Sequence, residues 1–404
     1  MKYEEALAWL YSLQRFGIKL GLENIRRLIA EMRVDLGGAR VIHVAGTNGK
    51  GSVCAMIDSI CRAQKYRTGL FISPHLVTFR ERIRIDGEMI SENEVAAGLT
   101  SIRKLVADWE PHPTFFEIAT ALALKHFIEA TIDIVILETG LGGRLDATNA
   151  VQSNVAVITP IALDHEKWLG DSLEKIANEK TGIIKAQTPV VSAPQLPEAD
   201  KAIRGRATEC EAPLEFVEQV YDKSPIALRG EHQKLNAAIA IAAIRAANVE
   251  IDEAAVTRGL ATVEWPGRFQ CWDKRTVIDG AHNPAAARIL TQTWRQIFGD
   301  ERATLILAIL SDKDLHGICE ALAPIADLVL LPNIRSERAA DPTELSKILV
   351  DLGRKAEIFS SFADAFGKAR EQRDPILITG SLHFAGEALA NLTGKPAAFE
   401  ECNQ

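Results

Sequence analysis

The sequence predicts an α/β protein, an amino-terminal doubly wound domain of the P-loop type followed by a smaller Rossmann-like α/β domain. Three observations carry this. The apolar run Arg40–Ala45 leads into a glycine-rich turn and a helical stretch over residues 52–64. Further apolar runs alternate with helical stretches, the pattern of a mostly parallel sheet with covered faces. Finally, Trp265-Pro266-Gly267-Arg268 breaks regular structure just before a second strand-helix alternation begins. The expected division is residues 1–266 and 267–404.

The amino-terminal stretch reads helical, with Leu7, Leu10 and Leu13 at i, i+3, i+6. After the glycine-rich turn, strands are expected at 69–72, 132–137 and 155–158, each bounded by turn or polar residues. Asp86-Gly87 between Ile83-Arg84-Ile85 and Glu88-Met89-Ile90 predicts a hairpin. Arg80, Arg82 and Arg84 alternate, so a strand through 79–85 would put all three on one face. That face is either a solvated sheet edge or a receptor for carboxylates. In the second domain strands are expected at 276–279, 304–309, 328–331 and 376–379, with helices over 284–297 and 342–352.

Bulk properties narrow the function. Net charge is -8, from 46 Lys plus Arg against 54 Asp plus Glu, which argues against a general binder of nucleic acid or anionic membrane. No run of about 18 apolar residues suggests a membrane span, and the opening MKYEEALAWLYSLQRF lacks the apolar core of a signal peptide. The six cysteines (Cys54, Cys61, Cys210, Cys271, Cys319, Cys402) contain no C-x-x-C pair, which fits buried thiols in a reducing compartment. The expected location is cytoplasmic.

The strongest local signal is Gly46-Thr47-Asn48-Gly49-Lys50-Gly51-Ser52 after an apolar strand. Backbone N–H groups in such a turn cradle phosphate, the lysine supplies charge and a hydroxyl can reach magnesium. The generic phosphate-loop pattern is met imperfectly: Val44 stands where it has glycine, and Gly51 separates Lys50 from Ser52. Glu138 ends an apolar strand, suited either to a hard cation or to capping a turn. His165 follows another apolar strand, and by composition a structural or substrate contact is as natural as a metal ligand. Lys180 beside Glu179 is by itself an ordinary helix charge. Thr114-Phe115-Phe116-Glu117 has the form of a capping box with aromatic core residues. Asn236 and Asp279, taken singly, suit caps and turns.

The string Gly-Thr-Asn-Gly-Lys-Gly-Ser resembles the ATP loop of the Mur ligase superfamily in its folate-ligase branch. So, in order, do Ser73-Pro74-His75-Leu76, Thr114-Phe115-Phe116-Glu117, 138–149 (ETGLGGRLDATN), Leu163-Asp164-His165, Glu179-Lys180-Thr181-Gly182-Ile183, Pro266-Gly267-Arg268 and Asp279-Gly280-Ala281-His282-Asn283-Pro284. The resemblance covers nearly the whole chain. It implies ATP contacts from Thr47, Asn48, Gly49, Lys50, Gly51, Ser52, Asn236, Arg268 and Asp279, and magnesium held by Ser73, Glu138 and His165. It also implies that Lys50, His165 and Lys180 serve catalysis, Lys180 as a lysine that the family often carbamylates. Thr114, Phe115, Phe116 and Glu117 would contact the pterin, and Leu145, Asp146 and Ala147, with Ile18, Lys19 and Leu20, would line the pteroate pocket.

The activity so implied is ATP-dependent addition of glutamate to a pteroate or folate carboxylate through an acyl-phosphate. Gly142-Gly143-Arg144-Leu145-Asp146-Ala147 looks like the bifunctional bacterial form, which makes dihydrofolate from dihydropteroate and then extends the tail. Magnesium and ATP are the expected cofactor and co-substrate, with a monovalent cation and a carbamate on Lys180 as further candidates. The expected partners are small molecules only, and the expected state is a monomer. The alternatives are a folate tail-extending enzyme alone, a cell-wall Mur ligase, or a nucleotide switch that ligates nothing.

Overall fold

The computed structural model describes residues 1–16 and 21–400. Its strands in chain order are β1 Arg40–Ala45, β2 Thr68–Phe71, β3 Ile83–Ile85, β4 Glu88–Met89, β5 Ile134–Glu138, β6 Val155–Ile158, β7 Val190–Ser192 and β8 Leu214–Phe216, then β9 Gln270–Cys271, β10 Thr276–Ile278, β11 Ala303–Leu307, β12 Ala326–Pro332, β13 Lys355–Phe359 and β14 Ile376–Thr379. The first eight form one sheet, ordered β4-β3-β2-β5-β1-β6-β7-β8, and the other six a second, ordered β13-β12-β11-β14-β10-β9. Pairing is parallel except for the edge pairs β2–β3, β3–β4 and β9–β10.

β1 and β5 lie at the centre of the first sheet with both faces covered, which is why they read as mostly apolar runs rather than as alternating ones. Alternate side chains serve opposite cores. Val41, Val135 and Leu137 join residues of the helices Tyr3–Ser12, Glu23–Glu31, Glu92–Leu105 and Phe115–Glu129. Ile42, Val44, Ile134 and Ile136 join residues of the helices Lys50–Ala63, His232–Ala246 and Glu253–Thr262. The second sheet likewise has a core on each face. Helices on both faces of two mostly parallel sheets make the doubly wound arrangement expected.

Chain winding reverses beside β1: β2 lies on one side of it and β6 on the other, with β5 between β1 and β2. In such sheets ligands bind outside the carboxyl ends of the strands at the reversal. Those ends carry the glycine-rich turn after β1, Ser73 after β2, Glu138 on β5, and Asp164 and His165 after β6.

The hairpin at Asp86-Gly87 forms as predicted, both residues having positive φ (51° and 86°) as a tight two-residue connection requires. The single strand expected through 79–85 does not. Phe79–Arg82 is a 3₁₀ turn, and only Ile83–Ile85 is extended. Thr78 and Glu81 form a capping box, so side-chain bonds to the backbone win over strand pairing. The three arginines therefore do not share a face. Arg82 is wholly buried and donates from Nε to His75 Nδ1 at 2.8 Å, whereas Arg80 donates to Ile90 O at 2.6 Å. β7, β8, β9 and β13 were not anticipated. The first three have two or three residues, and β13 is an edge strand whose Lys355, Glu357 and Ile358 are exposed.

Helix packing around the first core sets a sharp test. A Cβ on Gly259 would lie 2.6 Å from Ile60 Cα and 2.7 Å from Ile60 N, where two helices cross backbone to backbone. Gly259→Ala should destabilise the protein by about 1–3 kcal/mol through overpacking. Gly205, helical and with nothing within 4 Å of its would-be Cβ, should give a gain of up to about 1 kcal/mol as Gly205→Ala. Urea midpoints of the two variants check the pair, and equal shifts would refute the packing argument.

Candidate active site

The turn between β1 and the helix Lys50–Ala63 approaches its neighbours too closely for side chains. At Gly46 (φ 146°) a Cβ would stand 1.9 Å from Thr159 Oγ1, and at Gly49 (φ 90°) 2.9 Å from Asn236 Oδ1. The Thr47 and Asn48 N–H groups donate to Pro160 O at 3.0 and 3.1 Å. Thr47 Oγ1 donates to Ala162 O and accepts from Ala162 N, both at 3.1 Å, so the turn is fastened to the chain leaving β6. Lys50 Nζ curls back onto Gly46 O and Thr47 O at 3.1 and 3.2 Å. Ser52 is buried in the first turn of the helix.

Lys180 is not a solvated helix charge. It is 5% exposed, and its Nζ donates to Gly46 O at 2.7 Å, the carbonyl that Lys50 also uses. Burial first, and then the Lys50 charge, lower its amine from the usual lysine value to about 7. An amine poised there is partly neutral and nucleophilic near neutral pH.

Glu138 is buried at the end of β5 and accepts the Ser73 N–H at 3.3 Å. Burial pushes its carboxyl up, against the opposing charges of Lys50, Arg268 and Arg82. The Ser73 hydroxyl is buried and has no hydrogen-bond partner among the described residues. A raised carboxyl beside an unsatisfied hydroxyl oxygen is a donor set that a hard cation would complete. His165 stands at the start of a short helix with positive φ (53°), and burial holds its imidazole near 4, neutral and available as a ligand. No cluster of three His, Cys, Asp or Glu side chains at metal spacing occurs among the described residues. A magnesium ion here therefore needs phosphate oxygens and water to fill its shell, as it commonly does in nucleotide sites.

The second sheet closes over this site through Asp164. Lys313 Nζ donates to Asp164 Oδ1 at 2.6 Å, Asn283 Nδ2 to Oδ2 at 3.3 Å, and His282 Nε2 lies 3.4 Å from Oδ2. Burial alone would raise the Asp164 carboxyl, but His282, His165 and Lys313 together hold it well below the usual range. Asn283, the N-cap of the helix Pro284–Phe298, also exchanges hydrogen bonds with Asn48 of the phosphate turn at 3.1 and 3.3 Å. Asp279 is half-buried beneath the same loop, accepting from the N–H groups of Phe269 and Ala281 at 2.8 Å each. Burial raises its carboxyl against the Arg268 charge. Asn236 donates to Gln233 Oε1 at 2.9 Å, with its amide beside Gly49. Lys313 was missed in the sequence, although it follows β11 in the way that Glu138 ends β5 and His165 follows β6.

Gly51, Ser73, Glu138 and Arg268 line one cleft between the two sheets. A wider depression at the amino ends of β1 and β5, lined by Arg40, Tyr66 and Asp133, holds none of these residues, and ligands of open α/β sheets bind at the other end.

The expected pterin and pteroate contacts are more mixed. Thr114 and Glu117 form the predicted capping box, with Glu117 accepting from Thr114 N at 2.8 Å and Thr114 Oγ1 at 2.9 Å. Phe115 is core, packed on Tyr11 and Phe79. Phe116 lies against Gly140, where a Cβ would meet its ring at 2.6 Å. Asp146 is saturated by its own loop, accepting from Gly140 N, Leu141 N and Thr148 N at 2.8–3.0 Å. Ala147 begins a 3₁₀ turn and is buried; Leu145 is half-buried. Ile18, Lys19 and Leu20 lie outside the described residues.

Residues 44–209 match the Mur ligase middle domain and residues 267–382 the Mur ligase glutamate ligase domain. The chain is 35% identical to the dihydrofolate synthase/folylpolyglutamate synthase of Bacillus subtilis, over 95% of this chain and 98% of the relative. The chain belongs to this family of Mur ligases. Among solved structures it is similar to Escherichia coli FolC in complex with DHPP and ADP (TM-score 0.85, 34% identity, 96% of this chain and 98% of that one). It is also similar to a bifunctional folylpolyglutamate synthase/dihydrofolate synthase with Mn, AMPPNP and L-glutamate bound (TM-score 0.86, 33% identity, 96% and 98%). Membership in the Mur ligase family makes the chain an ATP-dependent ligase, which excludes the nucleotide switch.

The shifted lysine makes stability depend on pH. Folded Lys180 releases its proton near pH 7 and the unfolded residue near about 10.4. Between those values the unfolded chain binds more protons, so wild-type stability should rise with pH across that window. Lys180→Met should flatten the rise in carbonate-free buffer. Urea titrations from pH 6.5 to 10 check this, and parallel curves for the two proteins would show that the amine is not desolvated.

Proposed function

We propose that this chain joins L-glutamate to dihydropteroate, giving dihydrofolate, and to reduced folates, lengthening their glutamate tails, with release of ADP and phosphate. The observation that carries the reading is the cleft that brings the Gly51 turn, Ser73 and Glu138 of one sheet against Arg268 at the start of the other unit. The relatives, whose names state both activities, support it.

A carboxylate in water does not acylate an amine, so activation comes first. A carboxylate oxygen of the acceptor attacks the γ-phosphorus of ATP, the bond to the β–γ bridging oxygen breaks, and ADP leaves. The amine of glutamate then attacks the acyl carbon of the mixed anhydride, phosphate departs and the ammonium proton is lost. The protein contributes positioning and charge. The N–H groups of the phosphate turn hold the nucleotide phosphates. Lys50 exchanges the Gly46 and Thr47 carbonyls for oxygens of the transferring phosphoryl, while Arg268, Asp279 and Asn236 orient the nucleotide. Bound magnesium, held by Ser73, Glu138 and His165, supplies charge neutralisation at the phosphates. The neutral amine of Lys180 attacks carbon dioxide and gives up a proton to solvent, leaving a carbamate that adds an anionic oxygen pair beside the turn.

We further assign residues 1–266 to the nucleotide- and pteroate-binding unit and 267–404 to the glutamate-ligase unit, with Pro266-Gly267 as the joint. A monovalent cation is a further ion in this reading. The cleft is built within one chain, which supports a monomer. Cys54, Cys61, Cys210, Cys271 and Cys319 are free thiols, which supports a cytoplasmic setting, and no described helix is long and apolar enough to cross a membrane.

ADP release with magnesium-ATP and glutamate tests the reading. Turnover with dihydropteroate and with tetrahydrofolate is expected, each omission abolishing it; tetrahydrofolate alone would restrict the enzyme to tail extension. Glu138→Ala or His165→Ala should lower turnover by at least about a hundredfold with circular dichroism unchanged, since even residues behind a metal ligand cost that much. Lys180→Ala should lose activity that short carboxylates partly restore, and full activity without rescue would refute the carbamate.

A further inference from the structure

Of Arg80, Arg82 and Arg84, it is Arg84 that lines the cleft holding Gly51, Ser73, Glu138 and Arg268. It stands in the middle of β3, paired with Leu70 and Met89, so its origin is fixed by strand hydrogen bonds. Its guanidinium carbon lies 5.6 Å from the centre of the Trp265 ring, and its Nε donates to Glu81 O at 3.3 Å. Trp265 is wedged in turn: a Cβ on Gly51 would sit 2.7 Å from Trp265 Nε1, so the indole rests on the first turn of the phosphate-loop helix. With Nε on the Glu81 carbonyl and the ring beside it, the guanidinium is oriented and loses little freedom when its terminal N–H groups bind an anion.

No acidic side chain of the cleft answers this charge. Glu81 spends both oxygens on its own loop, accepting from the N–H groups of Leu76 and Val77 at 2.9 Å and of Thr78 at 3.0 Å. Glu138 accepts from Ser73 and is already faced by Lys50, Arg268 and Arg82. Arg84 has no ion pair among the described residues within salt-bridge distance. A half-buried, oriented guanidinium without a carboxylate partner sits where the reaction must deliver a carboxylate.

We propose that Arg84, set against the Trp265 ring, binds a free carboxylate of a glutamyl substrate in the cleft between the sheets. The ligand is a glutamyl carboxylate, either on the incoming amino acid or on the terminal glutamate of the acceptor. Trp265 is a positioning residue in this pair. The inference rests on the glutamate-ligase reading above.

The test is steady-state kinetics of the full chain with separate KM values for glutamate, for a glutamate-tailed acceptor and for ATP. Arg84→Met and Arg84→Gln should raise one of the first two about ten- to a hundredfold, the range expected when a charged hydrogen bond is lost, while KM for ATP stays within about twofold. Arg84→Lys should recover only part of the loss, because an ammonium lacks the fork. Trp265→Leu should raise the same KM as Arg84→Met, to a smaller degree. A rise in KM for glutamate assigns the site to the incoming amino acid; a rise for the tailed acceptor assigns it to the tail. Either supports the proposal. Unchanged values for both, or a rise in KM for ATP alone, overturns it. Wild-type protein that releases no ADP in response to glutamate would instead overturn the ligase reading, and this inference with it. Two chemically different replacements, each checked by thermal melt, separate lost binding from lost folding.

Discussion

One buried carboxylate ties the carboxyl ends of the two sheets together. Asp164, on the chain leaving β6, receives Lys313, Asn283 and His282 from the second unit, and all lie at the carboxyl ends of their own strands or in the loops that follow. Lys313 and Asp164 are almost wholly buried, their side chains 7% and 6% exposed. Burying such a pair gains little net stability, yet removing one partner leaves an uncompensated charge at a cost of about 3–5 kcal/mol. The contact therefore specifies an arrangement more than it stabilises one. It is satisfied only when the loop after β10 is docked, and that loop also carries Asp279 and Asn283. Docking the second unit and placing its candidate nucleotide contacts are one event.

A second constraint is steric. Gly46, Gly49 and Gly51 each let a neighbour approach to a distance that no side chain tolerates, and the neighbours come from three directions: Thr159 after β6, Asn236 in the helix His232–Ala246, and Trp265 in the connection to the second unit. The turn is thus shaped from outside as much as by its own dihedrals. Its Gly46 carbonyl receives two lysines at once, Lys50 and Lys180, and the desolvation of that crowded spot depresses the Lys180 amine.

Much of this was legible in the sequence, and the reasons are specific. Central strands such as Arg40–Ala45 and Val155–Ile158 announce themselves because both faces are buried and most side chains are apolar. The edge strand Lys355–Phe359 is silent because it faces solvent, and short β7 and β8 offer too few residues for a pattern. The phosphate turn could be placed by its glycines, but the reason for Gly51 could not, since Trp265 is 214 positions away and only folding brings it there. Lys180 read as a surface charge because helix periodicity says nothing of what a neighbouring loop will cover. The arginine trio misled for a related reason: period-two spacing favoured a strand, while Thr78 and Glu81 already encoded the capping box that broke it.

The division of groups between the sheets bears on the chemistry. An acyl-phosphate hydrolyses if water reaches it, so the groups that make it should meet only when the site is shut. Lys50, Ser73 and Glu138 belong to the first sheet, and Arg268, Asp279 and Asn283 to the second unit; neither set surrounds the cleft alone. Trp265 lies at the joint with its indole on Gly51, so a shift of the phosphate turn on taking up nucleotide presses directly on the connection between the units. The same indole carries Arg84. On the proposed reading, one side chain would couple nucleotide seating, interdomain geometry and the placement of a substrate carboxylate, with no relay through the cores.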